Sequence, residues 1–531
     1  MTGQPPTGER YNAFTGLMRE VLDGHVDRRD LLKRAGAAGL SGAAIASLLV
    51  GHSRAGAQGT PSALSGQTID MAILGIEGWP PSALGTSLAT ELFAPYAQET
   101  YGYTVNFSFE GAPFDQLFQR AVNSLSTGSA EYNIIISDSQ WLGALAEPGY
   151  ILQLNDIIAS TPELAAIEFE PTAVAGYQTF PDGSDQLWGL PQEGDTVALF
   201  VRQDLMTDET NRTDFEATAG FPLPQTYEDW EQIDMDQYEA LCAFFTGRQE
   251  GLYGTALQWS VGYDFISCYL YPFMFSTGGQ IIEGDVGTYK VEGVLNSQVN
   301  ADAMVRNKGL LQYAPPNATT FDIGAEVDVF TSGTVATCMQ WSALGPQMLN
   351  QLIGADMGTP ADTSKPVSPD DVLIVPPPGF RAADGTLTRI YTLGGQPWVI
   401  NAANDEAHRQ VAIDFMKWWY LPETQLEFAR RGGNPSVTAV LDDPGFEDIQ
   451  PHFRAFKYML REGRSRDFWH DPNYSEMLRA QQEAFSAYLT DVVTDPMVAL
   501  TYAACVQQGI LYDAERTEIE PTGACDDVSL G

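Results

Sequence analysis

Residues 68–81 read TIDMAILGIEGWPP. Ile69-Asp70-Met71-Ala72-Ile73-Leu74 has the length and apolar content of a short strand, and the glycines and paired prolines from Gly75 to Pro81 end it, leaving Trp79 in the loop that follows. Downstream, Leu88, Leu92, Phe93 and Tyr96 recur at helical spacing, and Tyr103-Thr104-Val105-Asn106-Phe107-Ser108-Phe109 alternates as a strand does. A second helical pattern, Phe114, Leu117, Phe118, Ala121, Val122 and Leu125, stops at Gly128. Tyr132-Asn133-Ile134-Ile135-Ile136 then reads as a buried strand that runs into Ser137-Asp138-Ser139-Gln140-Trp141. This alternation predicts an α/β fold with a parallel sheet. In such sheets the ligand crevice lies beyond the carboxyl ends of the strands, which nominates the loops at Glu77 to Trp79 and Ser139 to Trp141.

Upstream, Asp27-Arg28-Arg29-Asp30-Leu31-Leu32-Lys33 precedes an uncharged, Gly- and Ala-rich segment from Gly36 to Gly51, and Ala55-Gly56-Ala57 supplies small residues at a cleavage spacing. The order is that of a twin-arginine-type signal peptide over 1–57, cut before Gln58. The apolar segment falls short of the ~20 residues of a membrane span. The first cysteine is Cys242, so no lipidation site follows the segment, and a free, exported, periplasmic protein is expected.

The remaining chain is long enough for two domains. Hydrophobic residues at 44% and charged ones at 18% are ordinary for a globular protein. The net charge is not: 28 Lys and Arg against 69 Asp and Glu give −41. Such a surface repels nucleic acid and anionic lipid, so no nucleic-acid partner is expected, and solubility in a saline or otherwise exposed compartment accounts for the acidity. Of the five cysteines none forms a C-x-x-C pair or zinc spacing; Cys505 and Cys525 can pair in an oxidising compartment.

Further on, Leu187-Trp188-Gly189-Leu190-Pro191 leads into the strand from Asp195 to Val201 and then Arg202-Gln203-Asp204-Leu205. Pro224-Gln225-Thr226-Tyr227-Glu228-Asp229-Trp230 follows, then Phe330-Thr331-Ser332-Gly333-Thr334-Val335-Ala336 ending at Gln340-Trp341-Ser342. Leu393-Gly394-Gly395-Gln396-Pro397-Trp398-Val399-Ile400 and Ala412-Ile413-Asp414-Phe415-Met416-Lys417-Trp418-Trp419 complete the series. In this joint order and spacing, over nearly the whole mature chain, the sequence resembles the extracellular solute-binding proteins of bacterial ABC importers, the family that includes maltodextrin-binding proteins. The resemblance implies a two-lobed periplasmic binding protein of the Venus-flytrap type, each lobe discontinuous: 58–190 plus 375–433, and 191–374 plus 434–531. Its hinge crossings would fall near Pro191, Pro376-Pro377-Pro378 and Gly432-Gly433-Asn434-Pro435, where proline and glycine independently mark loops. It also implies a small-molecule ligand, a carbohydrate or polyol, a membrane permease as partner, and a monomer.

Sugar recognition pairs an aromatic ring, which stacks on the apolar face of the sugar, with carboxylates and amides that bind its hydroxyls. Matched to the family, the ligand-facing positions are Glu77, Trp79, Ser139, Gln140, Trp141, Asp195, Trp259 and Trp341, with Gly394 and Gly395 where backbone approaches the cleft and Trp398 beside them. Any one of the ten tryptophans is more commonly core, and position after a strand is what nominates these. A non-sugar ligand such as a polyamine, an amino acid derivative or an aromatic acid stays open, as does a secreted glycosidase. No G-x-S-x-G, H-E-x-x-H or P-loop is present, and His408, His452 and His470 show no ligand spacing, so neither catalysis nor a metal or cofactor is expected.

Overall fold

In a computed structural model, which describes residues 63–349, 367–525 and 528–530, the first strand is β1 (Thr68–Ile76). The export segment, with Arg28, Arg29 and the motif at Ala55 to Ala57, lies outside the described residues. Strand β1 pairs in parallel with β2 (Thr104–Ala112) on one side and β3 (Ile134–Ile136) on the other. The chain between β1 and β2 is helical over Pro80–Leu88 and Ala94–Thr100, joined by a π-helical turn at Ala89–Phe93. That turn holds one residue more than an α turn, so Phe93 stays in the core while Leu92 rotates out to 38% exposure. Helix Phe114–Leu125 buries Leu117, Ala121 and Leu125, as its spacing predicts.

The parallel arrangement stops there. Strand β4 (Leu190–Arg202) pairs antiparallel with β5 (Thr337–Trp341) and β6 (Val372–Val375), and β9 (Tyr391–Ile400) pairs antiparallel with both β3 and β4. A small hairpin, β7 (Phe380–Arg381) and β8 (Leu387–Thr388), precedes β9, and β10 (Ser465–Arg466) adds to the start of β9. The sheet order β2-β1-β3-β9-β4-β5 is therefore mixed. Alternating strands and helices describe the first lobe alone; the second lobe reaches the sheet through long strands that strand-helix alternation does not anticipate.

Strands β4 and β9 connect the two lobes. The end of β9, Trp398 to Ile400, pairs with β3, whereas the end of β4, Val197 to Arg202, pairs with β5 and β6; their shared stretch lies between. Here Pro191 faces Pro397, and the register shifts between Pro191 and Glu193. Neither proline has an N–H to give, so the ladder is interrupted at this pair. Gly395 turns with φ +97, a conformation that favours glycine. Near Pro191, where a crossing is expected, the chain forms a bulge inside a strand. Pro376, Pro377 and Pro378 stay with the second lobe, since Gly379 bridges Asp234 and the second crossing lies at residues 393–396 of β9. A third contact is made at residue 434, whose carbonyl accepts from the Gly194 N–H at 2.9 Å. Val437, Val440, Leu441 and Phe446 then return to the first-lobe core.

That core stacks Phe93, Trp398, Phe415, Trp418 and Trp419 edge to face and tilted. The second-lobe core is built on helix Phe265–Ser276, buried along almost its whole length with Pro272 inside it, packed against Gln298–Gly309 and Tyr474–Leu489. Cys505 and Cys525 form a disulfide, while Cys242, Cys268 and Cys338 are buried thiols. No helix among the described residues is long and apolar enough to cross a membrane.

Candidate functional site

The ends of β1, β3 and β5 and the shared stretch of β4 and β9 converge on one narrow cleft, with a free interior of about 30 Å³. From the first lobe come Trp79, Phe114, Asp138 and Ser139; from the second, Tyr263, Asp264, Phe265, Ile323, Trp341 and Phe468; from the hinge strands, Asp195, Leu393, Gly394, Gly395 and Gln396.

Trp79 follows β1, and its indole N–H is held by Glu193 Oε1 at 2.7 Å and Gln396 Oε1 at 2.9 Å, which fixes the ring against the hinge. Trp341 ends β5 and lies over Gly394: a Cβ built there would stand 2.7 Å from the indole Cζ3, so only glycine lets the ring lie flat on β9. Asp195 is wholly buried, and its Oδ1 accepts from the Ser342 hydroxyl (2.6 Å), the Thr196 N–H (2.8 Å), the Ala343 N–H (3.0 Å) and the Asn434 amide (3.4 Å). Asp195 therefore ties the hinge strand to the end of β5 and to the third crossing. Its Oδ2 has no hydrogen-bond partner. Tyr177 donates to the Gly394 carbonyl and accepts from the Asp195 N–H at 3.3 Å, so the first lobe grips the same point.

The lobes touch across the cleft. The Gln140 side chain donates to Asp264 Oδ2 at 2.9 Å, and Ser139 donates to Asp467 at 3.0 Å. Phe114 and Tyr263 pack at 4.9 Å between ring centroids, and Tyr263 holds φ +37, a strained value for a bulky side chain. Beside the cleft His470 sits between Asp182 of the first lobe (2.6 Å) and Asp467 of the second (3.3 Å), and Arg516 bridges Glu147 (3.0 Å) and Asp471 (2.8 Å). A Cβ at Gly143 would collide with the His470 carbonyl, so a glycine is required where the lobes meet.

Carboxyls dominate the electrostatics. Burial pushes Asp138 up to about 8, reinforced by Asp264 and Asp467, and burial pushes Asp264 and Asp195 to about 7 against the pull of their hydrogen-bond donors. Glu193 is raised well above the usual range by burial and by the nearby Asp195. For His470 burial opposes the charge, but Asp182 and then Asp467 outweigh it and lift the imidazole to about 10.

Of the residues nominated from sequence, Trp79, Ser139, Asp195, Trp341, Gly394 and Gly395 lie together on the cleft wall. The others stand elsewhere. Glu77 is exposed on the rim of β1, and Gln140 is spent on the bond to Asp264. Trp141 packs behind the wall against Phe118 at 5.4 Å and Tyr263 at 6.0 Å. Trp259 is not at a strand end: it lies in an irregular segment, 1% exposed, with its indole N–H on Asn307, inside the second-lobe core. Trp398 points away from the cleft into the first-lobe core, against Phe415 and Trp419. Sequence reasoning missed Asp138, Asp264, Phe265, Gln396 and Phe468, and placed Phe114 only on an apolar helical stripe. Asp138 was legible, being the last polar residue before the Ser139 loop; Asp264 and Phe468 sit in stretches without periodicity.

A family model described as bacterial extracellular solute-binding protein matches residues 91–454. Among solved structures the chain is similar to an ABC transporter solute-binding protein from Agrobacterium radiobacter K84 in complex with ribitol, at 21% identity and a TM-score of 0.64 over 84% of this chain and 98% of that one. It is similar to maltose-bound MalE3 of T. maritima, at 19% identity and a TM-score of 0.63 over 83% of this chain and 100% of that one. A solute-binding protein from Agrobacterium vitis S4 with bound D-mannitol shares 13% identity, with a TM-score of 0.60 over 84% of this chain and 99% of that one. No curated protein matches the chain.

Proposed function

The chain belongs to the bacterial extracellular solute-binding proteins, and on that premise we propose that it binds a sugar or polyol between its lobes and delivers it to the membrane permease of an ABC importer. The observation that carries this reading is the pairing of two aromatic rings, Trp79 from one lobe and Trp341 from the other, with carboxyl, hydroxyl and amide groups in one enclosed cleft. Flat rings take the apolar faces of a sugar, and Asp138, Ser139, Asp195, Asp264 and Gln396 supply hydrogen-bonding groups for its hydroxyls. The similarly folded proteins that hold ribitol, maltose and D-mannitol support the same ligand class. The role is binding without turnover, by a monomer.

Ligand that touches both lobes stabilises the closed form by its differential affinity. A thermal-shift screen of sugars and polyols should therefore find ligands that raise stability, by about 2.7 kcal/mol at 100 times the Kd. The same ligands should reduce the radius of gyration in small-angle scattering and be recovered unchanged. An unaltered radius at saturation would count against the clamshell.

Delivery to the periplasm through the twin-arginine route is part of the proposal and rests on Arg28, Arg29 and the motif at Ala55 to Ala57. N-terminal sequencing of the exported protein should begin at Gln58, and replacing both arginines by lysine should stop export. Export that survives the replacement rules out the route.

A further inference from the structure

We propose that the solute carries a protonated amine beside its hydroxyls, an amino sugar or amino polyol in chemical class, and that Asp138, Asp195 and Asp264 recognise that charge. The inference rests on the reading of the cleft as a sugar or polyol site and narrows it.

Three carboxyls line the cleft, and among the described residues no lysine, arginine or histidine lines it with them. Glu193 stands immediately behind, wholly buried, with its Oε2 unpartnered. The donors these groups receive are all uncharged: hydroxyl, peptide N–H and amide groups for Asp195, the Gln140 peptide and side chain for Asp138 and Asp264, and the Trp79 indole for Glu193. The adjacent cation, His470, is engaged by Asp182 and Asp467. Asp195 lines the cleft, and its Oδ2 is buried with no donor.

A neutral sugar can give such an oxygen one hydrogen bond but brings no charge to set against the ionised form, whose burial unpaired is costly. An ammonium supplies both the charge and as many as three N–H donors, and charge-assisted bonds are about twice as strong as neutral ones. The aromatic walls act in the same direction, since Trp79, Phe114, Tyr263 and Trp341 present rings whose faces attract cations. An anionic solute, such as a sugar phosphate or uronate, would find no cation among these groups and would be repelled by any of the three carboxyls that ionises.

The test is calorimetric titration of the full mature protein with matched pairs at neutral pH: glucosamine against glucose and N-acetylglucosamine, and 1-amino-1-deoxysorbitol against sorbitol, with spermidine as an amine lacking hydroxyls. An amine should bind tighter than its neutral partner by about tenfold or more, and Asp264→Asn should bring the amine-to-neutral affinity ratio down towards one, whatever it does to neutral affinity. Asp264 is chosen because it lies outside the hinge strands; Asp195→Asn, which also disturbs the hinge, should act in the same direction. Neutral partners that bind as tightly as the amines, with lobe closure, overturn this inference and leave the sugar-binding reading standing. Spermidine binding as tightly as any amino polyol overturns the hydroxyl half. Neither binding nor closure with any compound in this set or the wider screen overturns both readings.

Discussion

Trp341→Ala is expected to weaken solute binding by about 30-fold or more, roughly 2 kcal/mol, while Trp341→Phe keeps part of the affinity. The indole has one face on Gly394 of β9, and the Tyr269 ring stands edge-on at 6.2 Å. Only 7% of it is exposed, on the cleft side. A ring so held is a rigid platform: it loses little freedom when a solute settles on it, and the contact is made only when the lobes are closed. Removing it takes away the stacking surface and opens a void between the hinge and the end of β5. A tryptophan whose role was packing alone would behave differently, costing ~3–5 kcal/mol of folding stability with affinity unchanged. Calorimetric titration together with denaturation of the ligand-free mutant separates the two. A destabilised mutant that binds at wild-type affinity would return Trp341 to the core.

The ligand-free protein is expected to lose stability as pH rises from about 5 to about 9, by on the order of 3 kcal/mol or more. Asp138, Asp195 and Asp264 ordinarily titrate at 3.8 and are held at about 8, 7 and 7 in the fold. Between those values the folded chain binds protons that the unfolded chain has released, so stability falls with pH until each carboxyl ionises. His470 acts in the same sense, through partners on both sides of the cleft. Its stabilisation is complete below its ordinary 6.5 and disappears as pH climbs through about 10. The carboxyls held low by hydrogen bonds, Asp229, Asp384 and Asp405, weaken the fold only in stronger acid, outside this window. Denaturation midpoints across the range provide the measurement, and Asp264→Asn should flatten the slope. A flat or rising profile would show that these carboxyls are ionised at little cost. The more usual expectation for so acidic a chain, that self-repulsion grows as carboxylates ionise, is largely complete before pH 6 and cannot imitate the upper half of the curve.

How much of this could be read in advance follows from the kind of signal each part leaves. β1, β3 and the helix Phe114–Leu125 were legible because burial on a lobe imposes a period, and the period is written in consecutive residues. The loops at Trp79 and Ser139 followed, since a parallel sheet places its crevice at strand ends. The antiparallel course of β9 left no such trace, because its pairing with β3 and β4 joins segments far apart in the chain. Trp398 shows the consequence: two residues upstream the strand lines the cleft at Gln396, yet the Trp398 ring lies in the first-lobe core, a placement that long-range packing decides. Asp264 and Phe468 come from irregular segments whose place is decided by packing of the second lobe. Asp195 was found by position after a hinge, but its hold on Ser342, Ala343 and Asn434 depends on three separate chain passages meeting, which no local pattern records.

The two strands that join the lobes have a consequence for how the gene can vary. Inserting or deleting one residue within β4 or β9 exchanges inward and outward positions along the rest of the strand. Here each strand reaches both cores and the cleft between them, so the exchange in β4 would turn Asp195 away from Ser342, and in β9 it would turn Trp398 out of the first-lobe core. The hairpin at Phe380–Arg381 and Leu387–Thr388, by contrast, hangs from the second lobe and can change length at small entropic cost. Length is therefore fixed at the centre of the molecule and free at its edges, and the alignment of one lobe upon the other is inherited as a count of residues in a single ladder.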